Sequence, residues 1–261
     1  MSGDQPGRPL VIAHRGASAV LPEHTIGAYR QALEDGADGL ECDVRLTRDG
    51  HLVCLHDRRL ERTSNGRGLV SDHTLAQLRR LDFGSWHGTG PASILTLDRL
   101  LTEVRAAGRP VRLMIETKHP SKYGPEVERK LVALLHRHRL ATPTADDPVR
   151  VTVMSFSSLA IRRIRRLAPR LPTVLLMTLI RPGLPTGPPG IRQGRLPFGT
   201  TIAGPSIGLV RSRPGLVSTL RAAGNQVYVW TVNDPADLPL LLDQRVDAII
   251  TDDPAAILAR L

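Results

Sequence analysis

Acidic side chains lie near the ends of two strand-like segments of the sequence. Glu41 and Asp43 are two residues apart in GLECDV, so they share one face of a strand. Glu116 lies near the end of a second apolar run, VRLMIETK. Carboxylate oxygens suit hard divalent cations, and the two cysteines of the chain do not form a paired zinc motif. Glu41, Asp43 and Glu116 are therefore predicted to bind one divalent cation, Mg²⁺ or Ca²⁺.

Histidines and cationic side chains accompany these carboxylates. His14 lies near the end of the run LVIAHRG, and His56 lies near the end of the stretch ECDVRLTRDGHLVCLHD. A pair of imidazoles can supply a general base and a general acid. Arg15 can hold a phosphate by two hydrogen bonds, and Lys118 can add a point charge. Each residue alone has an ordinary structural interpretation, but their joint occurrence at strand ends favours a chemical site.

The stretch of residues 41–57 predicts a hairpin, because Asp49-Gly50 is a strong signal for a two-residue turn. The predicted cross-strand pairs are Arg48 with His51, Asp43 with His56, and Glu41 with Arg58. This register gathers two carboxylates and an imidazole on one face of the hairpin. The alternative is an exposed hairpin face with ordinary salt bridges.

The elements that must position these residues alternate along nearly the whole chain. The strand-like runs are residues 10–16, 39–44, 111–118, 149–156, 172–179, 200–206, 226–232 and 246–252. The helical patterns between them are residues 24–36, 96–108, 125–140, 157–169, 213–224 and 236–244. Alternation of this kind predicts parallel strands with crossover helices, and eight principal strands remain once the hairpin is set aside.

The sequence therefore predicts an α/β fold: a single TIM (β/α)₈ barrel of residues 1–261, with a β-hairpin excursion after strand 2 at its C-terminal face. A doubly wound open sheet is the rival, but no glycine-rich phosphate fingerprint follows the first strand. The Pro/Gly-rich segment 181–199 is predicted to be a loop over the C-terminal face. It is open whether this loop is a lid, a lipid contact or a tolerated insertion.

The amino-acid composition limits the kinds of binding partner that can be expected. The chain is 41% hydrophobic with a formal charge of +10, which nucleic acid, anionic membrane or a phosphorylated substrate could each explain. Its arginines are mostly scattered and aromatic residues are just 3%, so no specific nucleic-acid binding is expected. We expect no signal peptide and no transmembrane segment. Cys42 and Cys54 point to opposite faces of the predicted hairpin, so we expect no disulfide between them and a cytoplasmic location.

At these residues the chain resembles the glycerophosphodiester phosphodiesterase family. The matching pieces run almost from end to end and in the family's order: AHRGAS (13–18), PEHT (22–25), GADGLECDVRLTRDGHLVCLHD (36–57), ERTSNGRG (61–68), IETK (115–118), VMSF (153–156), VWTVN (229–233) and IITDDP (249–254). The resemblance implies a TIM barrel that hydrolyses glycerophosphodiesters to an alcohol and glycerol 3-phosphate. One departure is His24, where the family commonly has Asn.

The resemblance also implies roles for individual residues. His14 and His56 correspond to the family's acid/base pair, and Glu41, Asp43 and Glu116 to its metal ligands. Arg15 and Lys118 correspond to phosphate contacts, and Trp230 to a wall of the substrate pocket. The expected substrate is a small-molecule glycerophosphodiester. Lysophospholipase D-like activity on lysolipids is an enzymatic alternative, and a noncatalytic phosphate-ligand or nucleic-acid binder is another. The sequence leaves the oligomeric state open.

Overall fold

The computed structural model describes residues 7–144, 147–178 and 193–261 of the chain. The strands are β1 Leu10–His14, β2 Gly39–Leu46, β3 Leu52–Cys54, β4 Val111–Thr117, β5 Val149–Ser155, β6 Thr173–Met177, β7 Ile202–Pro205, β8 Gln226–Val229 and β9 Ala248–Thr251. The α-helices in the described ranges are α1 Ile26–Glu34, α2 Leu75–Leu78, α3 Leu97–Arg105, α4 Glu126–Arg137, α5 Ser158–Leu167, α6 Ile207–Ser212, α7 Leu216–Ala222, α8 Leu238–Asp243 and α9 Pro254–Leu258.

Eight parallel strands close into a barrel. β1 pairs with both β2 and β9, β2 pairs with β4, and the remaining strands follow in chain order. β3 is antiparallel to β2 and lies outside the barrel. The predicted TIM barrel with a hairpin excursion after strand 2 is confirmed, and the hairpin does not supply a ninth barrel strand.

The barrel interior is formed by alternate residues of the strands, as the period of a strand requires. The apolar interior cluster contains Ile12, Met114, Met154, Val174, Leu176, Ile202, Tyr228, Ala248 and Ile250. Intervening residues such as Val11 and Ala13 belong to the clusters formed with the helices. β2 differs from the other strands in its inward-facing residues, because its apolar side chains Leu40, Cys42 and Val44 all pack outward. Its inward positions are therefore the carboxylates that lie between them in the sequence.

Several helices, among them α1, α3, α5 and α6, begin where a Ser or Thr side chain caps them. In α5, the Ser157 hydroxyl accepts a hydrogen bond from the Ala160 amide, and Ile161 and Ile164 are buried. The helix predicted over residues 213–224 is shorter than expected and is preceded by another helix. Pro214 and Gly215 separate α6 from α7, since Gly215 adopts a φ of 85°.

The register predicted for the hairpin is wrong by one residue. The observed pairs are Val44 with Cys54, Arg45 with Val53, and Leu46 with Leu52. The turn contains three residues instead of two, because Gly50 takes a φ of 79° before the chain returns at His51. The predicted pairing of Asp43 with His56 and of Glu41 with Arg58 is thereby lost. His56 lies beyond β3.

A slip of one residue reverses the faces of a strand. Cys42 and Cys54 consequently lie on the same side of the hairpin, in one buried cluster, and not on opposite faces as predicted. Both thiols are free. Burial raises the pKa of Cys42 well above its ordinary value, and the neighbouring Cys54 thiol raises it further.

Residues 55–96 follow the hairpin and pack against it, forming a small hydrophobic core separate from that of the barrel. Leu55, Leu60, Leu78 and Phe83 are among its buried side chains. Residues 181–192 of the Pro/Gly-rich segment lie outside the described residues, so its predicted position over the barrel mouth is not tested. Among the helices of the described ranges, none has both the length and the apolar character needed to cross a membrane.

Candidate active site

The inward-facing side chains of the barrel change from apolar to polar and aromatic at its C-terminal end. Two residues beyond Ile12 the inward position is His14, and two beyond Met114 it is Glu116. The same step from Tyr228 reaches Trp230. The apolar interior thus ends in a layer of polar and aromatic side chains at the barrel mouth, where active sites of this architecture form.

Three carboxylates meet in this layer. Asp43 of β2 lies beside Glu116 of β4 in the parallel register. Glu41 lies two residues before Asp43 on the same face, and all three side chains are buried. One oxygen from each of the three lies within 4.8 Å of the others. The structure therefore brings together all three predicted metal ligands.

Positive groups surround Asp43 most closely. Lys118 Nζ lies 3.3 Å from Asp43 Oδ1 and 2.9 Å from Glu116 Oε1. Arg15 Nε lies 3.3 Å from Asp43 Oδ2, and His24 Nε2 lies 3.0 Å from the same oxygen. Burial opposes ionisation of Asp43, but Lys118, His24 and Arg15 outweigh it and hold the pKa of this carboxyl well below its usual range.

The other two carboxylates are less fully compensated. Burial raises the pKa of Glu116 to about 8, and repulsion from Asp43 adds to that effect. The pKa of Glu41 is also raised, first by burial and then by Asp43. Three buried carboxylates with two raised pKa values form a centre that a hard cation would stabilise. The three predicted ligands offer only carboxylate oxygens, without sulfur or imidazole. This set of donor atoms fits a hard divalent cation.

His14 ends β1 and is oriented by a carboxylate. Its Nδ1 lies 2.6 Å from Asp252 Oδ1. Asp252 in turn accepts hydrogen bonds from the Ser18 hydroxyl at 2.9 Å and from the Asn233 amide at 2.5 Å. Occupation of Nδ1 leaves Nε2 for the cavity that His14 lines.

His56 reaches the mouth from the loop after β3 and also has a carboxylate partner. Its Nδ1 lies 2.7 Å from Asp57 Oδ1, and its carbonyl oxygen accepts two hydrogen bonds from Arg45 at 2.8 and 2.6 Å. Burial lowers the pKa of His56 to about 4, although Asp43 opposes that shift. Burial opposes ionisation of Asp57, but hydrogen bonds from Arg62 and His56 lower its pKa to about 2.

Arg15 is positioned by the loop that follows β1. It adopts a φ of 60°, and its backbone amide donates to Glu41 Oε2 at 3.1 Å. The next residue, Gly16, has a φ of 88°, and a Cβ there would lie 2.7 Å from the backbone of Ala28. Arg15 Nη1 donates to Glu23 at 3.0 Å, whereas its buried Nε has no hydrogen-bond partner among the described residues.

These side chains line one cavity of about 130 Å³, here called the catalytic pocket. Its polar side contains His14, Arg15, Glu41, His56, Glu116 and Lys118. Its apolar side contains Met154, Phe156, Leu176, Trp230 and Ile250. Every predicted site residue except Asp43 lines the pocket, and Asp43 is buried in contact with Lys118 and Arg15.

The apolar side is fixed by two aromatic rings in edge-to-face contact. The centroids of Phe156 and Trp230 are 5.4 Å apart, with an angle of 84° between the ring planes. Trp230 Nε1 donates to the Gly204 carbonyl at 2.7 Å, which orients the indole. Phe156 is 44% exposed and forms part of the pocket rim.

Sequence reasoning assigned no role to several residues that support the site. They are Glu23, Asp57, Phe156, Asn233 and Asp252. Asp252 carries a usable signal, because it directly follows β9, the strand that closes the barrel against β1. Glu23 carries no such signal, since its bonds to Arg15 and Arg62 depend on the path of two loops.

Comparison with known proteins gives a consistent result. The sequence profile of the Glycerophosphoryl diester phosphodiesterase family matches residues 14–256. The chain is 50% identical to the probable glycerophosphodiester phosphodiesterase 1 of Mycobacterium tuberculosis, over 95% of this chain and 90% of that protein. It is 36% identical to a glycerophosphodiester phosphodiesterase of Bacillus subtilis, over 95% of this chain and 85% of that protein.

A solved structure extends the similarity to the fold. An Oleispira antarctica phosphodiesterase, in complex with the product sn-glycerol-3-phosphate, superimposes with a TM-score of 0.80 at 28% identity. The match covers 97% of this chain and 96% of that one.

Proposed function

The chain belongs to the glycerophosphoryl diester phosphodiesterase family, and from this premise we propose that it hydrolyses glycerophosphodiesters in the catalytic pocket, releasing an alcohol and glycerol 3-phosphate. One observation supports the proposal above all others. Three buried carboxylates lie within 4.8 Å of one another, and two of them line a pocket together with two histidines, each of which is hydrogen-bonded to a carboxylate through Nδ1.

Glu41, Asp43 and Glu116 are the proposed ligands of one divalent cation. Bound there, Mg²⁺ or Ca²⁺ would supply a Lewis acid that draws charge from the phosphoryl group. The chain itself supplies the protein part of the phosphate site. Arg15 retains donors beyond its bond to Glu23, and the Lys118 ammonium lies at the pocket surface between Asp43 and Glu116.

His14 and His56 are the proposed acid/base pair. Asp252 holds one imidazole and Asp57 the other, so each ring presents Nε2 and not Nδ1 for proton transfer. One histidine removes the proton of the attacking hydroxyl, and the other protonates the departing alkoxide. They come from β1 and from the loop after β3, so they can serve different oxygens of the same phosphodiester.

Two nucleophiles satisfy this scheme: water, or the 2-hydroxyl of the substrate's own glycerol, which would form a cyclic phosphate that water then opens. A substrate that carries propane-1,3-diol in place of glycerol lacks the 2-hydroxyl, so it distinguishes between the two nucleophiles. Turnover of this analogue at a rate close to that of the glycerol diester would eliminate the 2-hydroxyl route. Trp230 and its apolar neighbours are proposed to pack against the carbon atoms of the glycerol.

The deciding experiment compares glycerophosphocholine, glycerophosphoethanolamine, glycerophosphoglycerol, glycerophosphoinositol and lysolipids. Each is incubated with the purified protein after chelation, and again with Mg²⁺ or Ca²⁺ restored. We expect release of glycerol 3-phosphate from at least one glycerophosphodiester, dependent on the cation. Hydrolysis of lysolipids alone would instead support the lysophospholipase D alternative. Cytoplasmic location and the single-domain organisation of residues 1–261 stay predictions.

A further inference from the structure

A second cavity opens beside the catalytic pocket and is here called the outer groove. It has a volume of about 460 Å³ and is lined by His119, Pro120, Phe156, Ser157, Leu159 and Arg163, among others.

The outer groove and the catalytic pocket lie on either side of a shared lining residue, Phe156. This side chain lines both cavities, and its ring is 44% exposed. Lys118, which lines the catalytic pocket, directly precedes His119 of the outer groove. On the side of His56, Arg62 bridges Glu23 and Asp57 by ion pairs of 2.8 and 2.6 Å. A substituent on the phosphate that extends past Phe156 would reach the outer groove.

A buried carboxylate organises the donors of the outer groove. Glu128 of α4 is fully buried, and its Oε1 lies 2.5 Å from His119 Nε2. Its Oε2 lies 3.6 Å from Arg163 Nη1 and has no hydrogen-bond partner within the described ranges. Glu128 thus holds an imidazole and a guanidinium at one groove, and among the described residues no hydrogen bond occupies the other guanidinium donors of Arg163.

The remaining lining sets the kind of group that fits. Pro120, Phe156 and Leu159 offer apolar surface, and α5 begins there with Ser157 as its cap, which adds a partial positive charge. Hydroxyl and carboxylate oxygens would accept hydrogen bonds from Arg163. A quaternary ammonium is usually held by a cage of several aromatic rings. The outer groove offers one ring beside a cation, so it disfavours such a group.

We propose that the outer groove binds the departing alcohol of the diester, and that Arg163 selects oxygen-rich alcohols such as inositol, glycerol or serine over choline. The proposal rests on the proposed function, because it assumes that phosphodiester cleavage occurs in the catalytic pocket. It assigns Arg163 direct contact with the head group.

The test measures kcat/KM for four diesters of glycerol 3-phosphate: those of inositol, serine, choline and methanol. The methyl diester has no head group to fill the outer groove and serves as the reference. For the wild type, we expect the inositol and serine diesters to exceed the choline diester at least tenfold. In Arg163→Ala we expect the ratio of the inositol to the methyl diester to fall about tenfold, the value of a charge-assisted hydrogen bond.

Arg166→Ala is the matched control, since Arg166 is exposed on the same helix and does not line the outer groove. Its diester ratios should equal those of the wild type. Arg163→Lys keeps a positive charge beside Glu128 but lacks the forked donors of a guanidinium, so its inositol-to-methyl ratio should stay below that of the wild type. A purely structural role through Glu128 would instead restore the ratio fully.

The two proposals fail in different ways. If the wild type hydrolyses none of the four diesters with its cation present, the proposed function falls and the outer-groove proposal with it. If it hydrolyses them but the inositol-to-methyl ratio changes less than twofold in Arg163→Ala, the head-group assignment is wrong and the hydrolase function stands.

Discussion

The two sides of the catalytic pocket are built from the same strand geometry but from opposite residue classes. β1, β2 and β4 contribute ionisable side chains, among them His14, Glu41 and Glu116. The opposite side, from β5 round to β9, presents Leu176, Trp230 and other apolar groups. Both sides continue the inward-facing alternation of the barrel. The difference therefore lies in the side chains and not in the scaffold.

We infer that this asymmetry divides the work of the site. In the proposed mechanism the polar side provides charge, hydrogen bonds and proton transfer, whereas the apolar side excludes water and packs against carbon. An apolar wall also strengthens the electrostatic interactions opposite it, because it lowers the local dielectric constant. We therefore expect substitutions on the polar side to lower kcat, and substitutions on the apolar side to act mainly through KM.

The largest expected effect comes from the carboxylates. Glu116→Gln retains the shape of the side chain but removes a charge from the proposed cation site. We expect kcat/KM to fall roughly a thousandfold or more, because charge stabilisation by a bound cation is worth several kcal/mol. Titration calorimetry should show that the affinity for Mg²⁺ or Ca²⁺ falls as well.

Glu103→Gln is a suitable control for this substitution. Glu103 pairs with Arg30 away from the pocket, so its variant should bind the cation and turn over substrate as the wild type does. Full activity of the wild type in a sample shown to be free of metal would contradict the assignment of all three carboxylates.

The histidines should have the next largest effect. A positioned general acid or base contributes roughly 10²–10⁴ in rate, so His14→Ala and His56→Ala should each lower kcat by that range with little change in KM. If the two act as a unit, the double variant should lose less than the product of the single losses. Near-normal kcat in either folded, metal-loaded variant would remove that histidine from the mechanism.

Trp230 tests the apolar side directly. Trp230→Leu removes the ring that packs against Phe156 and the hydrogen bond to the Gly204 carbonyl. We expect KM to rise about tenfold, since a lost aromatic contact costs roughly 1–1.5 kcal/mol. We expect kcat to change less than threefold. A dominant loss in kcat would show that the two sides do not divide the work as described.

The ion pairs behind the polar side should give a smaller effect, on stability and its pH dependence. Burial opposes ionisation of Glu23, but the hydrogen bond from Arg62 and the charge of Arg15 lower its pKa from 4.5 to about 2. A carboxyl whose pKa is lower in the folded state stabilises the fold above its unfolded pKa. That contribution is lost as the pH falls from about 4.5 towards 2.

Arg62→Met should therefore destabilise the protein most at neutral pH. Since the Arg62 side chain is 44% exposed, solvent screening reduces the expected loss to about 1–2 kcal/mol at pH 7. The difference from the wild type should shrink towards zero near pH 2. Denaturant unfolding across this pH range measures it, and a difference that stays constant with pH would show that Arg62 acts through packing alone.

The sequence predicted the barrel because the alternation of strands and helices is strong, and because inward positions repeat every second residue. The same regularity predicted that His14, Glu41 and Glu116 gather at one end of the barrel, where they line the catalytic pocket. It did not predict the hairpin register, since Asp49-Gly50 suits a two-residue turn as well as the observed three-residue turn. His56 reaches the pocket despite this difference in register, because it lies in the loop beyond β3 and its position does not depend on the strand pairing of β2 with β3.

The supporting residues were harder to predict, for a physical reason. Asp252 meets His14 across the closure of the barrel, 238 residues apart in the chain. No local pattern encodes that contact, although the topology implies it once the strand order is known. The outer groove likewise depends on how α4 and α5 pack together, through Glu128 and Arg163, and not on a motif within either helix.

The smallest expected effect is at His24, which is nearly fully buried beneath the polar side of the pocket. Its Nε2 lies 3.0 Å from Asp43 Oδ2, and its Nδ1 lies 2.8 Å from the Tyr29 hydroxyl. It adopts a φ of 60°, a conformation that asparagine tolerates well. In His24→Asn, the shorter amide keeps one polar contact at this position and gives up the other.

His24→Asn should consequently change kcat/KM less than threefold and cost about 1 kcal/mol of stability, the value of one hydrogen bond. His24→Leu is the informative companion, because it leaves Asp43 without this donor while filling the space. We expect the leucine variant to bind the cation differently and to lose more activity than the asparagine variant. If both variants were equally active, the bond from His24 to Asp43 would be dispensable, and Arg15 and Lys118 alone would set the charge of that carboxylate.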